Sequence, residues 1–303
     1  MNIINTFRQH LDMMRTLGVR LHHIQETLGR IELRQTSGNF DGNLQSSEFR
    51  TFSQWGEDGI LQALIRTINP SSRIFIEFGV QDYRESNTRF LLVNNNWSGL
   101  VIDGSETNVN YIRNDSIYWQ YNLKAECAFI TRENVNDIFL RCGISGEIGL
   151  LSVDIDGNDY WVWKEIISVN PAIVVTEYNA RFGKERALTV PYDPDFVRST
   201  AHYSHIYYGA SLKAMCLLAN EKGYAFVGCN SAGNNAFFVR RDLMKSPLRE
   251  LSVAEGYVSN KFRESRNEDG SLAFLSAEEE RLLLDGLPLI DVELISINDH
   301  VDP

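Results

Sequence analysis

The sequence predicts an α/β fold: a doubly wound, mostly parallel sheet with a C-terminal antiparallel hairpin, preceded by an N-terminal helix. Three observations predict it. From residue 54 to residue 177, short apolar runs alternate with segments of helical periodicity, the pattern of serial βα units around a parallel sheet. Beyond residue 210 the order changes to one helix and two strands joined by a Gly/Asn turn, which reads as an antiparallel hairpin. Three strands of the serial part end in an acid, Glu77, Asp103 and Asp154, and the carboxyl ends of strands are where open α/β sheets bind ligands.

Bulk properties narrow the class. A chain of 303 residues can bury one large core with appendages, and 43% hydrophobic with 23% charged residues is ordinary for a soluble globular protein. The formal charge of −11 argues against nucleic acid or an anionic membrane as the main partner. No apolar run approaches the roughly 20 residues that span a bilayer. The polar residues Asn2, Asn5, Arg8 and His10 rule out a secretory signal. Cys127, Cys142, Cys216 and Cys229 lack Cys-x-x-Cys spacing and read as buried free thiols of a cytoplasmic protein.

The elements follow in order. Residues 1–34 carry apolar side chains at Ile4, Phe7, Leu11, Met14, Leu17, Leu21, Ile24, Leu28 and Ile31, a coiled-coil-like stripe with one stammer between Met14 and Leu17. Such a helix either packs on its own domain or joins copies of the chain into a homo-oligomer. Residues 35–47 are a polar, Gly-containing linker. The α/β domain spans 48–242. Its helices are expected at 54–68 (stopped by Pro70), 86–95, 107–113, 132–142, 161–167 and 211–222, and its strands at 73–79, 98–104, 117–122, 148–153, 172–177, 224–229 and 237–240. Residues 243–303 read as a peripheral cap with an acidic helix at 276–284.

The most informative stretch is Leu150-Leu-Ser-Val-Asp-Ile-Asp-Gly-Asn-Asp-Tyr160. A run apolar enough to be buried on both faces leads straight into Asp154, Asp156 and Asp159. Asp-Gly-Asn-Asp is good turn and cap chemistry, and Asp159 is placed to cap the next helix. A turn explains one or two acids, not three at a strand end, and carboxylates gathered there need cations, donors or a substrate to offset their repulsion. Asp154, Asp156, Glu177 and Asn179 form an all-oxygen set at adjacent strand ends that suits Mg²⁺ or Mn²⁺, with Asp154, Asp156 and Glu177 as the metal candidates. His202 and His205, in an irregular aromatic stretch at 198–208, are candidate bases for a proton transfer. Trp161, Trp163 and the tyrosines and phenylalanines from Tyr178 to Tyr208 supply aromatic faces of the kind sugar rings favour; core packing accounts for at least half of them.

The ordered set Phe75-Ile-Glu-Phe-Gly-Val-Gln-Asp-Tyr-Arg-Glu-Ser-Asn-Thr88, Leu100-Val-Ile-Asp-Gly-Ser-Glu106, Leu151 to Tyr160, Val174-Val-Thr-Glu-Tyr-Asn-Ala180 and the closing hairpin from Tyr224 to Arg240 resembles class I S-adenosylmethionine-dependent methyltransferases of Rossmann-like fold, and among them the FkbM type and its bacterial, glycan-associated relatives. The resemblance covers roughly residues 52–242. It implies S-adenosylmethionine as cofactor, with Glu77 and Gly79 lining its methionine side, Ser86 or Asn87 donating to it, Asp103 holding the ribose, residues 128–130 (Phe129 among them) flanking the adenine, and Asp154 beside the sulfonium or the acceptor. The implied activity is O-methyl transfer to a sugar, glycan or other polyhydroxylated small molecule. One departure stands out: the loop after the first strand, usually glycine-rich in that family, has Gly79 alone. Two other readings stay open, a metal-dependent transferase handling phosphate or a nucleotide-sugar, and a non-catalytic oligomeric scaffold on a degenerate methyltransferase fold.

Overall fold

The computed structural model describes residues 3–36, 38 and 40–294. Its strands are β1 (Ile74–Phe78), β2 (Ser98–Asp103), β3 (Leu123–Cys127), β4 (Gly146–Val153), β5 (Val169–Glu177), β6 (Leu188–Thr189), β7 (Tyr224–Cys229), β8 (Asn235–Arg240) and β9 (Ile290–Asp291). Its helices are α1 (Ile3–Thr36), α2 (Glu57–Ile68), α3 (Arg89–Asn95), α4 (Glu106–Asn114), α5 (Ser116–Gln120), α6 (Val135–Arg141), α7 (Asp159–Glu165), α8 (Arg198–Ala201), α9 (Leu212–Glu221), α10 (Val253–Gly256) and α11 (Ala277–Asp285). Seven strands form one sheet in the order β3-β2-β1-β4-β5-β8-β7, while β6 and β9 pair as a small separate ribbon. β1 to β5 run parallel, and β8 enters antiparallel beside β5 with β7 outside it. This is the doubly wound, mostly parallel sheet with a closing hairpin that the sequence predicts.

Alternation along the strands builds a core on each face. Ile76, Leu100, Leu151 and Val174 point to one side, against Val135, Phe139, Val162, Trp163 and Met215 of α6, α7 and α9. Phe75, Val101, Leu150 and Ile173 point to the other, against Leu61, Leu64, Leu91 and Leu92 of α2 and α3. At about 1.5–3 kcal/mol per large side chain fully buried, these two layers supply the main driving force for folding.

Several boundaries differ from expectation, each for a local reason. The strand expected at 117–122 is the helical turn α5, because the Asp115 side chain accepts from the Ile117 amide and starts a turn. The strand β3 comes just after it and is half-buried, with Leu123 and Ala125 inward and Lys124 outward. α3 begins at Arg89 and not at 86, since the Asn87 and Thr88 amides are bonded to Glu77. α7 begins at Asp159, whose carboxylate folds back onto the Ile155 and Gly157 amides. Cys127 is exposed, and Cys142 and Cys216 are only partly covered; of the four thiols expected to be buried, Cys229 is.

The flanks are more engaged with the domain than their composition suggests. In the 35–47 stretch, Leu44 is buried among core residues including Val227 and Val239. α1 meets the domain through one narrow face: Gly29 sits so close to Thr51 and Phe90 that a Cβ would lie 2.2 Å from Thr51 Oγ1, and Leu33 packs on Phe49, Phe52 and Phe90. The apolar stripe lies elsewhere on the helix, with Leu17, Leu21, Ile24, Leu28 and Ile31 all exposed. Ile4, the first residue of that stripe, lies outside the residues whose side chains are described. Residues 257–266 lie against the carboxyl edge of the sheet: Tyr178 donates to the Val258 carbonyl, Tyr257 to the Ala180 carbonyl, and the Lys261 and Arg266 amides to Ala232 and Ser204. The remainder of the expected cap, 295–303, lies outside the described residues. Among the described residues no helix is long and apolar enough to cross a membrane.

Candidate active site at the carboxyl edge of the sheet

Strand register decides which acids meet. Glu77 lies beside Ser152 and Val153 beside Thr176, so the residues following β1, β4 and β5 emerge side by side. Gly79 adopts φ +66°, and a Cβ there would lie 2.0 Å from the Asp154 carbonyl. Only glycine lets the two loops approach so closely. Asp154, Asp156 and Glu177 each bring a carboxylate oxygen to within 4.8 Å of the others. Asn179 does not join them. Its amide donates to the Ile206 and Tyr208 carbonyls and its oxygen accepts from the Arg181 amide, so it is a fastener for the 206–208 loop and not a ligand. Asp159 is likewise spent on its own turn, as its capping chemistry suggests.

The acids have a resident cation. Arg198 Nη1 lies 2.6 Å from Asp156 Oδ1, Nη2 lies 2.6 Å from Glu264 Oε2, and Nε donates to the His205 carbonyl. The guanidinium lies 3.7 Å over the Tyr208 ring, whose hydroxyl reaches toward Glu177. Burial works against the Arg198 charge, but Tyr208, Glu177, Glu264 and Asp156 more than compensate and raise its pKa. Glu177 keeps one buried oxygen, Oε2, with no hydrogen-bond partner. Burial first, and Asp154 next, hold the Glu177 carboxyl well above the usual carboxylate range; Asp154 is raised by burial and then by Asp156 and Asp159.

The first loop is held from below by Glu77. That carboxylate accepts from the Asn87 amide (2.7 Å), the Thr88 amide (3.0 Å) and the Thr88 hydroxyl (2.5 Å), and burial pushes it up to about 7. The donors expected to face a cofactor are engaged inside the protein: Asn87 Nδ2 donates to Ser152 Oγ, and Ser86 Oγ accepts from the Arg89 amide. Asp103, also buried, accepts from the Gln81 and Ser105 amides and from Asn108 Nδ2, which ties the first loop to the second strand end. Phe129 is half-exposed beyond β3, in contact range of Gly104.

Two cavities open here, and consecutive residues line them, Asp154 the one and Ile155 and Asp156 the other. The smaller, about 130 Å³, is lined by Glu77, Gly79, Gln81, Asn87, Asp154 and Asn235. The larger, about 530 Å³, has Phe129, Ile155, Asp156, Phe196, Arg198 and His205 in its wall, within the size range of small-molecule sites. His205 therefore lies at the site. His202 sits in the turn beside it, its Nδ1 2.7 Å from Ser204 Oγ, and is not in either wall. Of the aromatic residues expected to form a platform, Phe196 lines the larger cavity, whereas Tyr178, Phe182, Tyr207 and Tyr208 are buried. Trp163 is in the core, and Trp161 donates to the Val190 carbonyl.

Arg198 and Glu264 are the residues that sequence reasoning missed. Arg198 begins the irregular stretch already singled out, so its position carried some signal. Glu264 lies in a polar tail segment with no pattern, and only folding brings it to the site.

No family model matches the sequence, and no curated protein matches it. Among solved structures the chain is similar to an O-methyltransferase from Bacillus cereus in complex with S-adenosylhomocysteine (TM-score 0.40, 14% identity, covering 70% of this chain and 89% of that one). It is also similar to a putative caffeoyl-CoA O-methyltransferase from Staphylococcus aureus (0.39, 15%, 76% and 100%) and to the N-terminal domain of EvdMO1, determined with S-adenosylhomocysteine and D-fucose (0.38, 10%, 60% and 80%). At this level of similarity, functional inference rests on the residues of the chain itself.

The buried acids make stability depend on pH in a defined direction. Asp58 and Asp159 are pushed by burial to about 6 and Glu77 to about 7, with Asp154 and Glu177 also raised. A raised carboxyl contributes stability that is complete below its ordinary pKa and is lost as the pH rises through the raised value. The melting temperature should therefore fall between about pH 5 and pH 8. Glu177→Gln should recover about 1 kcal/mol at pH 8, roughly 2–4 °C, and little at pH 5. A thermal melt series of both proteins tests this; a variant less stable than the parent at pH 8 would refute it.

Proposed function

We propose that the chain is an S-adenosylmethionine-dependent O-methyltransferase acting on a sugar, glycan or other polyhydroxylated small molecule, as in the FkbM type. The observation that carries the reading is that consecutive residues line two neighbouring cavities, Asp154 the smaller and Ile155 and Asp156 the larger. One cavity is lined by the first loop at Gly79 and Gln81, and the Gln81 amide is bonded to Asp103. The other, ligand-sized, adjoins it across Asp154 and Asp156. Two cavities that meet at one point of the chain would let a donor in one and an acceptor in the other come into direct contact there, as an in-line displacement needs.

In this reading the cofactor lies over Gly79 and Gln81, with its ribose at Asp103 and its adenine at Phe129. When bound it supplies an electrophilic methyl carbon on a sulfonium. A bound cation would favour the charged forms of Asp154 and Glu177, which burial and mutual repulsion otherwise disfavour. The acceptor hydroxyl must lose a proton as it attacks, and His205, in the wall of the larger cavity, is placed to take it. Arg198 fixes the backbone beside His205 and the Asp156 carboxylate. His202, bonded to Ser204, supports the same turn.

Asp103→Ala should weaken S-adenosylhomocysteine binding by about 2–4 kcal/mol, through loss of charge-assisted hydrogen bonds and of the loop they hold. Isothermal titration of the folded variant checks this, and undiminished affinity would end the assignment of Asp103 to the cofactor.

A divalent ion at the acids is the second reading, favoured by the mutual approach of Asp154, Asp156 and Glu177 and by the unpartnered Glu177 oxygen. The donor set suits Mg²⁺ or Mn²⁺, but Arg198 already holds Asp156 and would have to yield it. If an ion belongs there, Mn²⁺ will raise the melting temperature of the parent more than that of Asp156→Asn. Equal shifts in both would leave Arg198 as the cation of the site.

The exposed stripe of α1 supports self-association through the N-terminal helix. Its heptad-like spacing is what two copies of one helix interlock through, and the face that holds α1 to its own domain is a different one. Leu21→Glu combined with Leu28→Glu should lower the mass measured by light scattering without loss of fold. An unchanged mass would remove α1 as the interface.

A further inference from the structure

The larger cavity holds more positive charge than its own acids neutralise. Its wall contains Arg198, Arg263 and Arg266 against two carboxylates, Asp156 and Glu264. Arg198 takes both of those carboxylates at 2.6 Å. Arg263 and Arg266 have no ion-pair partner among the described residues. Arg263 lies 5.2 Å from the Phe274 ring, a contact that orients a guanidinium without neutralising it. Arg266 Nη1 reaches only the Gly270 carbonyl, at 3.5 Å. This surplus sits in a chain whose net charge is −11.

The backbone that carries the two arginines is held from several sides. The Phe262 ring stacks on Trp55 at 5.4 Å. Glu264 is bound by Arg198 and lies 3.4 Å from Arg181. Ser265 is buried and its hydroxyl donates to the Ala273 carbonyl, while the Arg266 amide donates to the Ser204 carbonyl. A fixed frame presenting uncompensated guanidinium groups into a ligand-sized cavity is preorganised for a carboxylate or a phosphate, both of which match the guanidinium fork. Beside Ser199 and His205 the wall also has apolar residues, Ile155, Phe196 and Val197, which suit the carbon skeleton of the same ligand.

We infer that the methyl acceptor carries an anionic group, a carboxylate or a phosphate, which Arg263 and Arg266 hold in the larger cavity. The inference rests on the methyltransferase reading for the word acceptor; the anion site itself rests on the arginines alone. It narrows the substrate from polyhydroxylated molecules in general to acidic ones, such as a uronic acid or a sugar phosphate. Fixing the anion at one point and the ring on Phe196 would leave one hydroxyl to face His205.

The test is a thermal-shift titration of the full chain with D-glucuronate, D-glucose 6-phosphate and D-glucose, each at up to about 10 mM, with and without S-adenosylhomocysteine. At least one of the two acids should raise the melting temperature and glucose should not; which acid does so tells carboxylate from phosphate. In the double variant Arg263→Ala with Arg266→Ala the shift should vanish, while the Kd for S-adenosylhomocysteine stays within about twofold of the parent. A shift that survives in the double variant, or no shift from either acid in the parent, would overturn the inference. So would a marked loss of S-adenosylhomocysteine affinity in the variant, since the arginines would then serve the cofactor. Failure of the parent to bind S-adenosylhomocysteine at all would sink the methyltransferase reading separately, with the arms lacking it still reporting on the anion site.

Discussion

A single guanidinium organises the carboxyl edge of this sheet. Arg198 is mostly buried, and it joins Asp156 from the loop after β4, Glu264 from the tail, the His205 carbonyl from its own loop and the face of Tyr208. Three segments of chain that are distant in sequence, the loop after β4, the 198–208 loop and the tail, thus converge on one charge. Without it, three carboxylates would crowd one low-dielectric corner with no compensation, which costs far more than a surface ion pair returns. The cation permits the acids to stay together, and the acids in turn keep the cation charged despite its burial.

The same interaction ties the tail to the acid cluster. Glu264 bridges toward both Arg198 and Arg181, and Arg181 is itself clamped by Glu280 of α11. The tail is therefore part of the cavity wall and not an ornament on the domain. It contributes Arg263 and Arg266, which have no ion-pair partner among the described residues, so the polarity of the larger cavity is set largely by residues outside the α/β repeat. Glu77 and Asp103 play a comparable part on the other side. Each spends its carboxylate on backbone amides of the first loop, shaping a loop in which Gly79 is the one glycine.

The order of elements was legible because its physical basis is local. Runs such as Ile148 to Val153, apolar on both faces, can be stable only inside a parallel sheet, and the Gly/Asn turn between Cys229 and Asn235 can only return the chain antiparallel. Propensity misled where capping intervened. Ile117, Tyr118 and Trp119 look like a strand, but Asp115 offers an amide partner and the segment turns helical. The acid cluster was legible as well, since three aspartates in six residues at a strand end have few structural uses. Asp159 proved to be the capping one of the three.

The sequence by itself determined the sheet, the glycine at the first loop and the strand ends at which acids stand, because each follows from short-range periodicity and backbone sterics. Tertiary structure alone decided what those acids face. Nothing near Asp156 in sequence announces Arg198, forty-two residues on, or Glu264, sixty-six beyond that. Nor does local chemistry distinguish His205 from His202, or Asn179 from a ligand. Those assignments depend on where loops land after the core has packed, and long-range ion pairs leave no periodic trace in the chain.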